Sequence, residues 1–401
     1  MLDAYIYNGL RTPFGRSAGA LATVRPDDLL GGVIRAVIDS SPFNQSAIDD
    51  VVVGCANQAG EDSRCVARHA LLLAGLPTEI PGTVVQRNCG SGLGAIITAA
   101  HAITCGEGRI MVAGGVESMS RAPFVVGKAE QAFAKQMVVY ESSLGARFPN
   151  PGIVREFGND TMPETADNLA QEFDLGRAQC DRFAYWSQQK YAAAKSDGFF
   201  ADEISPVTIP GSRKRPEQVV EVDEFPRPDT PLEKYATLRT LNEDGVTTAA
   251  NASGINDGAV AMMIASKSAG EAVGARPLAR IVSSGVAGVE PRIMGYGPVP
   301  ASEIALKRAG LTVDEMDVIE VNEAFAAQVL ACLRGMGIDF DDSRVNPNGG
   351  AITIGHPLGA SGPRIALTAS RQLERAQGRY ALISMCIGLG QGIAMVIERA
   401  S

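Results

Sequence analysis

Thr83-Val84-Val85-Gln86-Arg87-Asn88-Cys89-Gly90-Ser91-Gly92-Leu93-Gly94-Ala95 joins two kinds of chain. An apolar, β-branched run leads in, and an Ala/Ile-rich run from Gly94 to Thr104 leads out. That is a strand feeding a helix, with Cys89 at the junction. Near a helix N-terminus the exposed N–H groups favour a thiolate over a thiol. Gly90 and Gly92 leave room for close backbone approach and permit a strained turn. The competing reading is a small buried hydrophobe, the usual state of free cysteine. Cys55, Cys65, Cys105, Cys180 and Cys332 lack a glycine frame and fit that reading. Cys89 fits an activated nucleophile.

Outward from this junction the same alternation recurs. Asp50–Gly54 and Arg109–Gly115 read as strands, and Asp27–Asp39 has helical spacing behind Pro26. Near-continuous apolar strands alternating with helices argue a layered α/β fold. From Pro123 to about Ala249 the chain is more polar, proline-bearing and without strand rhythm, so it reads as an insertion or cap. Helical pieces occur there at 165–172 and 177–195. Strand-like runs return at Ala259–Ala265 and Ala279–Ser283. Tyr380–Gly388 echoes Arg109–Gly115, each after a glycine-bearing turn. Two similar halves, the first interrupted, account for the echo and the insertion.

Composition narrows the classes. The chain has 401 residues, 45% hydrophobic and 20% charged, enough for more than one domain. Net charge is −9 and no basic face is evident, which disfavours nucleic acid. Mean hydropathy is near zero and no apolar run reaches membrane-spanning length. Seven cysteines, none in a CxxC pair, disfavour a disulfide framework or structural zinc. The start of the chain reads as a strand without signal-peptide pattern, so cytoplasm is the expectation. Arg213-Lys214-Arg215 reads as a solvated loop or as phosphate contacts.

A nucleophilic thiol needs a base and donors for an oxyanion. Three histidines are available. His69 lies in a helical run. His101 lies on the helix leaving Cys89, more than three turns away. His356 stands in Asn346-Pro347-Asn348-Gly349-Gly350-Ala351-Ile352-Thr353-Ile354-Gly355-His356-Pro357-Leu358-Gly359-Ala360-Ser361-Gly362, a glycine-rich loop suited to close ligand approach, and is the candidate base. Cys386-Ile387-Gly388-Leu389-Gly390-Gln391-Gly392 is a second cysteine–glycine frame. It suits a thiol acid/base with a backbone oxyanion donor, or a buried cysteine before a turn. It fails as a dinucleotide fingerprint because no βαβ unit follows. Glu320-Val321-Asn322-Glu323-Ala324-Phe325-Ala326 follows the strand-like 316–319 run. Asn322 and Glu323 are placed there as helix N-terminal residues.

Taken in order, Cys89 with its GSG, the NEAF segment at 322–325, GHPLGASG at 355–362 and CIGLGQG at 386–392 resemble the four active-site blocks of the thiolases. Arg11-Thr12-Pro13-Phe14-Gly15, Gly114-Gly115-Val116-Glu117-Ser118-Met119-Ser120 and Asn251-Ala252-Ser253-Gly254-Ile255-Asn256-Asp257-Gly258 extend the resemblance along the chain. No single motif is specific; the combination is.

The resemblance implies a five-layer αβαβα core of two similar halves with an inserted loop domain. The N-terminal half would comprise 1–121 and 250–272, the CoA-binding insertion 122–249 and the C-terminal half 273–401. It implies an acyltransferase that cleaves a 3-oxoacyl-CoA with CoA through an acyl-Cys89 intermediate, or runs the reverse Claisen condensation. Cys386 would protonate or form the acetyl-CoA enolate, and His356 would activate thiols. One oxyanion hole would be His356 with a water held by Asn322; the other, the N–H groups of Cys89 and Gly388. Ser253, Ala252, Met162, Ala324 and Phe325 would line the pantetheine channel. The resemblance implies no metal and no cofactor beyond CoA as substrate. It also implies a homodimer or homotetramer.

Two departures stand out. Leu389 replaces a common glycine and is expected to reshape the acyl pocket; Asn88 replaces an apolar residue. Arg121–Lys128, Thr161–Ala166 and the CIGLGQG frame look most like 3-oxoadipyl-CoA thiolases of aromatic degradation, with Lys128 or Arg147 as cationic partner for the acyl carboxylate. The alternative is a general acetyl-CoA acetyltransferase acting on acetoacetyl-CoA. A ketoacyl synthase lacks the second cysteine, and a silent lipid-binding homologue would not need all four catalytic groups.

Overall fold

The apolar runs form strands of one mixed sheet in the computed structural model, which describes residues 2–213 and 216–400. In chain order they are β1 (Tyr5–Arg11), β2 (Asp50–Gly54), β3 (Gly82–Val85), β4 (Ile110–Ser118), β5 (Asn256–Ala265), β6 (Ala279–Gly288), β7 (Val318–Val321), β8 (Tyr380–Ile387) and β9 (Gln391–Arg399). Their spatial order is β7-β8-β9-β6-β1-β5-β4-β2-β3, with the short strand Gly15–Arg16 also pairing β5.

The order repeats about the junction of β1 with β6, where only Tyr5↔Arg280 and Ile6↔Ala279 pair. Outward from β1, β5 and β4 join antiparallel, then β2 and β3 join parallel. Outward from β6, β9 and β8 join antiparallel and β7 parallel, and Val345 bridges Ile319 where a fifth strand would lie. The echoing segments fall in β4 and β8, which hold equivalent places. So do the helices Ser91–Thr104 and Leu358–Ala376 that precede them.

Side chains alternate across these strands, so each strand feeds two layers. From β4, Met111 and Ala113 face a central cluster, while Ile110, Val112 and Val116 face an outer one. From β9, Ile393, Met395 and Ile397 face the centre, while Ala394 and Val396 face the opposite outer cluster. Both equivalent helices lie in the central layer, with Leu93, Ile96, Ile365 and Leu367 fully buried. Each such side chain contributes roughly 2 kcal/mol. Pro26–Asp39 and Val66–Leu73 cover one outer face, and Pro298–Ala309 and Ala326–Gly335 the other. The result is the expected helix–sheet–helix–sheet–helix layering.

The insertion lies in the β4–β5 connection, residues 119–255, where the second half has only the tight turn Gly388–Gly390. It is more than a polar cap. It has two small hairpins, Phe124–Val126 with Val139–Glu141 and Val207–Ile209 with Gln218–Val220. Its Arg177–Ser196 helix sends Tyr191 into the central cluster and Phe183 into an outer one. Arg11 of β1 fastens it further. Its guanidinium bonds Asp223 at 2.7 and 3.0 Å and Glu203 at 3.1 Å, all three fully or nearly fully buried. Among the described residues no helix is long and apolar enough to cross a membrane.

Candidate active site

The strand-to-helix junction is built as the sequence implies, with one change in where the strain lies. Asn88 takes the left-handed φ of 44°, a region that asparagine tolerates better than most residues. Gly90 has an ordinary φ of −82°. The glycines serve close approach instead. A Cβ on Gly90 would press on Ile387, and one on Gly92 would strike Pro363 and the Gly359 carbonyl of the equivalent helix. Ser91 Oγ locks the turn, donating to the Asn88 carbonyl at 2.6 Å and accepting the Arg87 N–H at 2.9 Å.

The thiol is not the thiolate expected at a helix N-terminus. The helix starts at Ser91, beyond Cys89. Burial pushes the Cys89 thiol up to about 11, and the N–H groups of Gly388 and of Cys89 itself offset this only in part. Desolvation is the largest of these effects.

His356 lies just before the Leu358–Ala376 helix. Its backbone N–H donates to Asn256 Oδ1 at 2.9 Å. Its Nδ1 is 2.6 Å from Ser361 Oγ. The Ser361 hydroxyl donates to the Pro357 carbonyl at 2.9 Å, so its oxygen accepts Nδ1–H. That tautomer leaves Nε2 with a free lone pair. Asn322 Nδ2 is 3.5 Å from it. Burial, reinforced by Arg364, lowers His356 to about 4, so the imidazole is neutral over the ordinary pH range.

Cys386 is the last residue but one of β8, opposite Gly392. Burial, then the nearby Cys89, raises its thiol well above the usual value. It packs with Ala166, Ala252, Met294, Ala324 and Phe325. Ala252 pairs with Phe325, and Ser253 N–H donates to the Ala324 carbonyl at 2.9 Å. Met162 is part-exposed, its sulfur 3.7 Å from where a Gly388 Cβ would stand. Asn88 Nδ2 donates to the Gly388 carbonyl at 3.2 Å, tying the Gly388–Gly390 turn to the nucleophile turn. Four segments far apart in sequence therefore meet: 88–92, 322–325, 355–362 and 386–390.

Several expectations need correction. Leu389, beside Gly388, is 65% exposed at the tip of the β8–β9 turn, with φ 68°. A glycine suits that position because a left-handed L-residue costs about 1 kcal/mol. Asn322 and Glu323 do not open a helix; β7 runs to Val321 and the next helix begins at Ala326. Glu323 instead accepts from Ser187 Oγ at 2.7 Å, Asn346 Nδ2 at 2.8 Å and Ile352 N–H at 3.1 Å. Lys214 and Arg215 lie outside the described residues. His69 and His101 are exposed on their helices.

Asn256, Ser361 and Glu117 lie within the family-like motifs, and only the fold shows what they hold. Glu117 accepts N–H groups from Ala56 and Asn57 at 3.0 Å and from Gly359 at 2.9 Å, joining the β2 terminus to the His356 loop. Burial raises its carboxyl to about 7. Cys55 and Asp62 stand beside it.

Residues 4–268 match the family "Thiolase, N-terminal domain" and residues 275–399 "Thiolase, C-terminal domain". The chain is 55% identical over 401 residues to a beta-ketoadipyl-CoA thiolase of Acinetobacter baylyi, covering both chains completely. It is 53% identical, again over both whole chains, to a 3-oxoadipyl-CoA/3-oxo-5,6-dehydrosuberyl-CoA thiolase of Escherichia coli. The structure superposes on the Bacillus anthracis acetyl-CoA acetyltransferase with a TM-score of 0.93 at 35% identity, covering 100% of this chain and 99% of that one. On human mitochondrial 3-ketoacyl-CoA thiolase in complex with CoA the TM-score is 0.91 at 39% identity, covering 100% and 98%. Matched in both halves and along its whole length, the chain belongs to the thiolase family and is a thiolase-type C-acyltransferase acting on acyl-CoA.

Proposed function

We propose that Cys89 attacks the 3-keto carbon of 3-oxoadipyl-CoA. The C2–C3 bond breaks, acetyl-CoA leaves as its enolate, and Cys386 gives that enolate its proton. Succinyl-Cys89 remains. His356, which took the Cys89 proton in the first attack, passes it to the Cys386 thiolate and is neutral again. It then takes the proton of a second CoA thiol, whose sulfur displaces the Cys89 thiolate to form succinyl-CoA, and Cys89 takes that proton back from His356. The reverse sequence is a Claisen condensation.

The observation that carries this assignment is the unprotonated Nε2 of His356 in a site that also brings the Gly388 N–H to the Cys89 sulfur. Both Cys89 and His356 are neutral at rest. The thiol proton therefore passes to His356 as the C–S bond forms, which is general-base catalysis rather than a standing ion pair. The N–H groups of Cys89 and Gly388 form one oxyanion hole. His356 with a water held by Asn322 forms the other, and the 3.5 Å approach of Asn322 to Nε2 supports it. Each such donor is worth roughly 3 kcal/mol in the transition state.

The pantetheine arm runs past Ser253, Ala252, Met162, Ala324 and Phe325, and CoA lies against the insertion. The halves divide at 1–121 with 250–272 and at 273–401. The enzyme is a cytoplasmic homodimer or homotetramer. The acyl choice rests on the names of the relatives above half identity. In steady-state thiolysis, kcat/KM for 3-oxoadipyl-CoA is expected to exceed that for acetoacetyl-CoA by at least roughly tenfold. The opposite order would make the protein a general acetyl-CoA acetyltransferase.

A further inference from the structure

Arg147 lies in the insertion, between the Val139–Glu141 strand and the Pro151–Phe157 helix, and is part-buried. Its Nη2 donates to the Asn57 carbonyl at 3.3 Å. Among the described residues no carboxylate lies within ion-pair distance of it. Among its neighbours, Arg121 and Arg25 share Glu61 and Arg16 has Glu224, whereas Arg87, between Gln86 and Asn88, is likewise in no ion pair and reaches Gln391 Oε1 at 3.4 Å.

Its anchor is fixed to the active site from two sides. Glu117 holds the N–H groups of Ala56 and Asn57 and also that of Gly359, in the first turn of the helix after His356. Gln86 Nε2 donates to the Ala56 carbonyl at 3.4 Å and to Asn88 Oδ1 at 3.1 Å, and Asn88 reaches Gly388. A row of amides thus runs from Arg147, past the residues just before Cys89, to the turn bearing the Gly388 N–H. Gln86 is exposed and Asn88 part-buried, so the row borders the site's opening rather than the core.

We propose that Arg147 is a specificity-determining residue that receives the distal carboxylate of the acyl chain, with Gln86 and Asn88 as the polar wall between it and Cys89. The substrate class is 3-oxoacyl-CoA ending in a carboxylate, and the assignment rests on the 3-oxoadipyl reading above. A guanidinium offers two parallel N–H groups to a carboxylate, and the Asn57 carbonyl already orients this one. Lys128, the other cation considered, is exposed on a flexible stem and lacks such an anchor.

The test is the ratio of kcat/KM for 3-oxoadipyl-CoA to that for 3-oxohexanoyl-CoA, which has a methyl in place of the carboxylate. Loss of folded enzyme cancels in this ratio. Arg147→Gln is expected to lower it roughly 10- to 100-fold, and Arg147→Lys to restore part of the loss. Lys128→Gln is expected to change it by less than roughly threefold. A high wild-type ratio that Arg147→Gln leaves intact, or that only Lys128→Gln lowers, overturns the assignment alone. A wild-type ratio near one overturns the 3-oxoadipyl reading and this assignment with it.

Discussion

His356→Asn is expected to lower kcat/KM for thiolysis by roughly 10²- to 10⁴-fold, the range for loss of a positioned general base. It should also abolish acetyl exchange between acetyl-CoA and Cys89, because that exchange deprotonates thiols without touching a carbon–carbon bond. The pH profile adds a sharper check. A base acts in its unprotonated form, and burial with Arg364 holds His356 near 4. Wild-type kcat/KM should therefore hold level as pH falls from 8 through the usual imidazole range near 6.5, and decline only as pH approaches about 4. Folding stability has the same sign. The unfolded histidine takes up a proton below about 6.5 and the native one does not, so this group's contribution is lost as pH falls toward 4. A histidine-dependent acid limb near 6.5 would mean that the ring is hydrated rather than dry. Full activity in His356→Asn would remove it from the mechanism.

Cys386→Ala is expected to separate the two duties. Proton transfer to and from the α-carbon should fall by roughly 10²- to 10⁴-fold, seen as lost cleavage of 3-oxoacyl-CoA and lost exchange of the acetyl-CoA methyl protons with solvent. Acetyl exchange onto Cys89 should survive, since it needs only Cys89 and His356. The geometry behind this is the burial of Cys386 among Ala252, Met294, Ala324 and Phe325, with its thiol held well above the ordinary value. A high thiol pKa makes a poor resting nucleophile and a competent partner for an enolate, which is itself strongly basic. If both reactions fell together in Cys386→Ala, or neither did, the division between the two cysteines would be wrong.

The legible parts of this protein were those with local signatures. Strands such as Ile110–Ser118 and Asn256–Ala265 are apolar on both faces because helices cover both faces, and that pattern shows in one dimension. The four glycine-framed blocks were visible for a related reason. Backbones there approach too closely for a Cβ, as at Gly92 against Gly359, and the glycines mark it. The repeat was faint in sequence, yet the strand order doubles it completely enough to place the insertion opposite a three-residue turn.

What escaped was set by distance through space. Asn256 holds His356 across a hundred residues, and Glu117 holds Gly359 across more than two hundred. No periodicity exposes such partners. The Cys89 thiol is not legible as such, because a helix start is visible in sequence and desolvation is not. At Leu389 the sequence shows a departure from glycine but not the backbone conformation behind it. That conformation is a left-handed φ on an exposed turn. Asn322 and Glu323 look like helix-capping residues by type, but tertiary partners claim both first.

Acid-quenched enzyme, mixed with 3-oxoadipyl-CoA in the absence of free CoA and digested for peptide mass spectrometry, tests the assignment most directly. A succinyl group is expected on the peptide at Cys89, and adding CoA before the quench should remove it. Succinylation of Cys386 instead, or turnover without any acyl group on Cys89, would contradict Cys89 as the acyl-carrying nucleophile.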